Sequence, residues 1–278
     1  MNTTSATTPA TDRRTQKLPV FRSNMAASWR SLLFWSIFLL AAVILLLPFH
    51  TTFTTPSVLA AVNRLPWVIY WTLRFDQIHT GPGYVQAMIF SGIGFLAMIA
   101  AGIQWGSAAI AGAEEDGTLH TVIGRGVGPI QYCLEASAAV LTRLSIIALI
   151  TYVAIRWLNK PLGVGLKTRL LGQTTIVWLG LGALVAAIAI LVGAYIGKRL
   201  WAVTAGIIVT VSSYTVDAIS RLNPNWHWIA DLSPVDWAFG DNPLWKGLDG
   251  WGEISLWVLA LMLTVAAAIL FRQREGGE

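Results

Sequence analysis

The sequence predicts an all-α membrane protein with six transmembrane helices. Of its 278 residues, 55% are hydrophobic and only 12% are charged, whereas a soluble domain carries about 25% charged residues. Long runs, such as residues 32–49 and 256–271, contain no charge at all. Backbone groups inside lipid must be hydrogen-bonded within their own segment, so apolar spanning segments of this kind are helices. The composition therefore argues against a water-soluble globule.

The N-terminal segment is predicted to have two parts. Residues 1–17 are rich in Thr, Ser and Ala and are too polar for a signal peptide, so we expect a disordered tail. From there the chain, residues 18–278, is expected to form a single domain. Leu18, Phe21, Met25 and Trp29 then recur at helical spacing, which predicts an amphipathic helix on the inner membrane surface. An ordinary basic tail beside the membrane is the alternative.

Six segments are long and apolar enough to span a bilayer, which takes about 20 residues. They are residues 31–49, 84–111, 132–155, 170–196, 200–219 and 254–271. A further stretch, residues 58–75, is interrupted by Arg64, Pro66 and Arg74. Charges and a proline make a crossing costly there, so we predict an interfacial helix, with a seventh span as the alternative.

The orientation is predicted from the basic residues beside the first span. Five of them precede it, and no Lys or Arg follows until Arg64. By the positive-inside rule the N-terminus is cytoplasmic, and six spans return the C-terminus, with Arg272 and Arg274, to the same side. We expect a multi-pass protein of the cell (plasma) membrane, surrounded by lipid. No basic run is long enough to indicate nucleic-acid binding.

The sequence predicts neither a catalytic site nor a metal site. The Gly197-Lys198-Arg199 turn lacks the glycine spacing and the hydroxyl of a phosphate-binding loop. No His-Glu-x-x-His motif and no Cys/His cluster with zinc spacing is present, and the single cysteine, Cys133, rules out an intramolecular disulfide. We therefore expect a protein that is not an enzyme.

The link between the second and third spans carries the densest acidic cluster, at residues 114–116. Gly117 permits a sharp turn, and Leu119, Val122 and Ile123 offer one apolar helical edge before several glycines. This pattern predicts a short helix with a docking surface for a partner. A plain helical hairpin with a capped turn is an equally good interpretation of these residues alone.

Glu114-Glu115-x-Gly117-Thr118-Leu119 resembles the segment between the second and third helices of type-2 permeases of ATP-binding-cassette exporters. Where that family continues with Pro-Val-Ser-Arg, this chain carries Gly-Val-Gly-Pro at residues 126–129. A second resemblance is the Leu-Ser-Pro sequence at residues 232–234, which is similar to the Ser-Pro loop of the family before its last helix.

The resemblance implies a permease half that pairs with a second copy or with a different permease. Two separate ATPase subunits would bind ATP and Mg, so that this chain itself needs no cofactor. Residues 114–123 would form the coupling helix that fits a cleft in the ATPase. The residues implied in this coupling are Glu114, Glu115, Gly117, Thr118, Leu119, Val122 and Ile123. The implied activity is the ATP-driven efflux of an apolar or amphipathic substrate from a bacterial cell.

Charged residues within the spans are candidates for the transport pathway. Arg143 is about 16 Å from the start of the third span at a rise of 1.5 Å per residue, and a charge at this depth costs roughly 2.5–3.5 kcal/mol. We expect Arg143 to face the bundle or a wet cavity with a partner, and a structural ion pair or hydrogen-bonded cap is favoured over a substrate contact. Glu135, the second candidate, lies closer to the inner interface, where a charge is cheap. An alternative class of protein is an ion-coupled secondary transporter that uses Glu135, Arg143 and Asp217 as a relay.

The second span also contains Gly102-x-x-x-Gly106, which predicts close packing between helices.

Overall fold

The computed structural model describes residues 18–66, 70, 73–124, 126–221, 226–240, 242–248 and 250–276. The described residues are 86% helical and contain no strand. In this part of the chain six helices are long and apolar enough to cross a membrane, which confirms the predicted number and order of spans. We call them spans 1–6: Trp29–Thr54, Gly81–Glu115, Pro129–Leu162, Thr168–Ile196, Arg199–Ser220 and Trp251–Glu275. The predicted tail, residues 1–17, lies outside the described residues.

The connections of span 4 are short and have recognisable signals at the helix ends. Span 3 begins with Pro129 in its first turn, where a missing N–H costs nothing. It ends at Gly163 with φ 67°, and span 4 ends at Gly197 with φ 72°. A glycine adopts this left-handed conformation without steric cost, and it commonly ends helices for that reason. Spans 3, 4 and 5 are therefore joined by tight turns and run antiparallel.

Spans 2 and 4 form the centre of the bundle. Their most apolar windows are 72% and 67% buried, against 28% for each of spans 1, 5 and 6. The two central spans pack backbone to backbone: a Cβ on Gly102 would lie 2.8 Å from the Gly182 carbonyl oxygen, and one on Gly106 would lie 2.6 Å from that of Ala186. The predicted close packing at Gly102-x-x-x-Gly106 is confirmed, and span 4 is the partner.

Span 2 is not a regular helix. Its α-helical parts are Gly81–Val85, Gly94–Ser107 and Ala113–Glu115, with π-helical segments at Gln86–Ile93 and Ala108–Gly112 between them. The first π-helical segment contains a kink at Gly92, where φ is −95° and ψ is −113°. The second lies directly before the acidic residues that end the span. A helix bends most easily at such interruptions.

The ends of the bundle differ in what they contain. Six alternating spans bring Leu18 and Gly276 to one end, which we call the proximal end, together with the 116–128 link and the Gly197 turn. The opposite, distal end holds two loops with short helices. The first loop contains the helix Pro56–Val62. The second contains His227–Ala230 and Pro234–Phe239, and we call the last of these the loop helix. The middle of the predicted interfacial helix, residues 67–69 and 71–72, lies outside the described residues. A separate N-terminal helix, Pro19–Ala27, precedes span 1 at the proximal end.

Candidate functional site

The link between spans 2 and 3 contains a short helix. Span 2 ends at Glu115, and Gly117 makes the turn with φ 70° and open space around its α-carbon. The connector helix, Thr118–Ile123, follows at once. The Thr118 hydroxyl donates to the Ala113 carbonyl oxygen at 3.0 Å, which holds the start of this helix against the end of span 2.

The apolar edge of the connector helix packs inside this chain. Leu119 is fully buried in the main core, and Val122 and Ile123 are half-buried against it. The exposed side carries the hydroxyls of Thr118 and Thr121. A partner that approached the connector helix would thus meet polar groups, because the apolar edge expected for docking already has its own chain as partner.

The two glutamates before Gly117 bind elements far away in the sequence. Glu114 accepts a charged hydrogen bond from Arg274 near the end of span 6. Glu115 Oε1 accepts from the backbone N–H of Arg199, the first residue of span 5, at 2.9 Å. Gly197 has φ 72°, and a Cβ at this position would lie 2.6 Å from Glu114 Oε1, so a larger residue would strain the turn and displace this carboxylate. The proximal ends of spans 2, 5 and 6 are therefore linked.

Glu135 holds the N-terminal helix against span 3. Its side chain is 5% exposed, and its Oε2 accepts from the backbone N–H groups of Val20 at 2.8 Å and Phe21 at 3.1 Å. Gln131 donates to the other carboxylate oxygen at 2.7 Å. A helix start has free N–H groups and a positive dipole end, and no side chain of the N-terminal helix itself caps it. Glu135 supplies that cap from span 3. This contact could not be predicted from the sequence.

Arg143 lies between spans 2 and 3 without an acidic partner in the described part of the chain. The residue is 2% exposed, its Nε donates to the Ala139 carbonyl oxygen at 3.1 Å, and its guanidinium carbon is 5.2 Å from the Trp105 ring centre. Trp105 in turn donates to the Ser31 hydroxyl of span 1 at 3.0 Å. A cation over an indole face is stabilised when it is shielded from water, and this contact offsets part of the burial cost.

A buried charge network closes the distal end. Arg74 Nη2 is 3.2 Å from Asp217 Oδ1, with side chains only 2% and 0% exposed. Arg221 bridges Asp217 at 3.2 Å and Asp236 at 3.0 Å. Arg74 also donates to the Gly240 carbonyl oxygen at 3.0 Å. The network joins the loop before span 2, the end of span 5 and the loop helix.

Burial shifts the pKa values in this network. It lowers the pKa of Arg74, and the nearby Asp217 carboxylate partly opposes that shift. Burial also raises the pKa of Asp236 to about 6. The hydrogen bond with Asp217 and the negative charge of Asp217 add to this rise, whereas the positive charges of Arg74 and Arg221 oppose it. Sequence reasoning placed Arg74 in an interfacial helix and missed this network, because its partners are far along the chain.

The relay residues are not brought together. Glu135 binds the N-terminal helix, Arg143 contacts Trp105, and Asp217 belongs to the distal network. None of the hydrogen bonds or ion pairs of the described residues connects one of the three to another. Within the same residues no group of three His, Cys, Asp or Glu side chains is placed to hold a metal ion.

Two of the cavities of the bundle differ in the character of their walls. One of about 740 Å³ opens at the proximal end between the N-terminal helix and the connector helix, with Asn24, Asp116 and Tyr132 in its wall. Another, of about 200 Å³, is almost wholly apolar and lies among spans 3, 4 and 6, with Ala186 and Trp257 in its wall. Of these two, the first has the mixed polar and apolar wall that suits an amphipathic molecule.

Comparisons with family models, curated proteins and solved structures find no match to this chain. The resemblance to permeases therefore depends on the motif at residues 114–119 and on the order of the spans.

Proposed function

We propose that this chain is the permease subunit of an ATP-binding-cassette exporter that moves an apolar or amphipathic substrate across a bacterial plasma membrane. One observation carries the proposal: Glu114-Glu115-x-Gly117-Thr118-Leu119 runs from the end of the second of six spans into the link before the third and includes the start of a short helix. In this proposal the connector helix is the coupling helix, the proximal end faces the cytoplasm, and a second permease half completes the pathway.

The energy source would be a separate ATPase, since this sequence has no phosphate-binding loop. ATP binding in the partner can switch the bundle only if the partner contacts the two states of the bundle differently. The exposed Thr118 and Thr121 hydroxyls are the groups of the connector helix that such a partner would meet first.

The proposal can be tested by purifying the tagged chain with an ATPase that carries a phosphate-binding loop. Thr121→Arg adds a bulky charge to the exposed side of the connector helix and should release the ATPase without lowering the thermal stability of the chain. Lys167→Glu, an exposed change at the distal end, is the control and should retain the ATPase. Substrate movement by the chain alone, on an ion gradient and without an ATPase, would contradict the proposal.

The buried position of Leu119 makes it a poor choice for this test. Leu119→Asp would place a charge in the core, where an unpaired charge is strongly unfavourable. A loss of ATPase binding in that variant would then report misfolding and not a lost docking contact.

A further inference from the structure

We infer that Glu114 and Glu115 are positioning residues that make the connector helix move with the proximal ends of spans 5 and 6. For its role in transport this inference rests on the proposed function, while the mechanical link itself does not. Glu114 supplies the connection to span 6, and Glu115 supplies the connection to span 5.

The connection to span 6 is held on several sides. Arg274 binds Glu114, and its guanidinium carbon lies 5.5 Å from the centre of the Phe271 ring. Phe271 is fully buried, with its ring centre 6.1 Å from that of Tyr132 in span 3. The arginine is thus fixed by packing on its own helix, so a displacement of Glu114 acts on the end of span 6 as a whole.

The connection to span 5 uses the helix start. The first N–H groups of a helix have no partner inside it, and they form the positive end of the helix dipole. No side chain of span 5 caps its own start, and the Glu115 carboxylate accepts the Arg199 N–H instead. A shift of Glu115 therefore either carries the start of span 5 along or exchanges the carboxylate for water as the acceptor of this exposed N–H group.

The π-helical segment Ala108–Gly112 separates this assembly from the rest of span 2. On one side of it, Gly94–Ser107 is packed closely against span 4 through Gly102 and Gly106. On the other side, Ala113–Glu115 carries both carboxylate contacts. Because a helix bends preferentially at such a segment, movement of the connector helix passes to spans 5 and 6 more directly than along span 2.

Distance measurements between spin labels test the link in the full-length chain. With Cys133→Ala removing the only native cysteine, labels at the exposed positions Thr121→Cys and Arg272→Cys report the distance from the connector helix to the end of span 6. We expect a narrow distribution in the parent, a broad one in Glu114→Gln, and a narrow one again in the charge exchange Glu114→Arg with Arg274→Glu.

Asp116→Asn is the matched control. Asp116 is an exposed carboxylate in the same link, and no hydrogen bond or ion pair of its side chain occurs among the described residues. Its replacement should leave the distribution narrow. A distribution in Glu114→Gln that equals that of the parent overturns the inference. Failure to find an ATPase partner would overturn the proposed function and leave these distances unchanged, so the two failures are distinguishable.

Discussion

Replacing Asp217 by Asn tests whether the distal charge network holds the loops to the bundle. The side chain of Asp217 is fully buried and faces Arg74, whose own side chain is 2% exposed. Asn keeps the shape but removes the charge, which leaves the buried guanidinium with the more distant Asp236 at 3.8 Å. Removing one partner of a buried ion pair costs roughly 3–5 kcal/mol, so we expect the thermal midpoint to fall by roughly 6–20 °C.

The measurement is thermal unfolding of the purified chain in detergent, with the unfolding rate as a check if the transition is irreversible. Arg74→Gln should cost less than Asp217→Asn, because Asp217 keeps Arg221 at 3.2 Å, and the double variant should lose less than the sum of the two. The reason is that each single change leaves a buried charge without its nearest partner of the pair, whereas the double change removes both charges. Arg221→Gln is the milder comparison, since its side chain is 19% exposed and solvent replaces part of what is lost.

An additive double variant, or an Asp217→Asn protein with the midpoint of the parent, would refute the reasoning. Either result would mean that solvent or lipid headgroups satisfy Arg74 as well as Asp217 does. The loop before span 2 would then be held by its apolar contacts, such as that of the buried Phe75.

The carboxyl group of Asp236 has an ordinary pKa of 3.8 and a pKa of about 6 in the folded protein. Between about pH 4 and pH 6 the folded protein therefore holds a proton that the unfolded chain has released, so the stability should fall as the pH rises through this range. Asp236→Asn should flatten this pH dependence in thermal unfolding. Gly106→Leu should abolish the packing of spans 2 and 4, whereas Gly172→Ala, whose added Cβ would be 3.9 Å from its nearest neighbour, should assemble normally in size-exclusion chromatography. Arg143→Gln removes a buried cation that no carboxylate balances among the described residues, so the thermal midpoint should hold or rise while transport falls; normal transport would exclude Arg143 from the pathway.

The spans were predictable because a bilayer imposes a length and a composition that are visible in one sequence. The exact ends of the spans were not predictable, because a helix can continue past its apolar run into the membrane–water interface. Span 3 runs seven residues beyond its predicted end at Ile155, to Leu162, and takes Arg156 and Lys160 with it. The π-helical segments of span 2 were not predicted either, because an apolar stretch does not specify which carbonyl each N–H group bonds.

The contacts of the candidate residues depend on distances that one sequence does not contain. Glu114 and Arg274 are 160 positions apart, and Arg74 and Asp217 are 143 apart. The composition of the connector helix indicated an apolar edge, but an amphipathic pattern gives no information on whether that edge is covered by a partner or by the same chain. For Leu119 it is the same chain.

The ion pairs at the two ends of the bundle differ in burial, and this difference sets how much each contributes to stability. The Glu114–Arg274 pair has side chains 29% and 25% exposed, and pairs open to solvent contribute roughly 1 kcal/mol or less. The distal pair of Arg74 and Asp217 is buried, and breaking it by the loss of one partner costs several times more. The loss of the Glu114–Arg274 pair should therefore lower the thermal midpoint of the chain by less than the loss of the distal pair does.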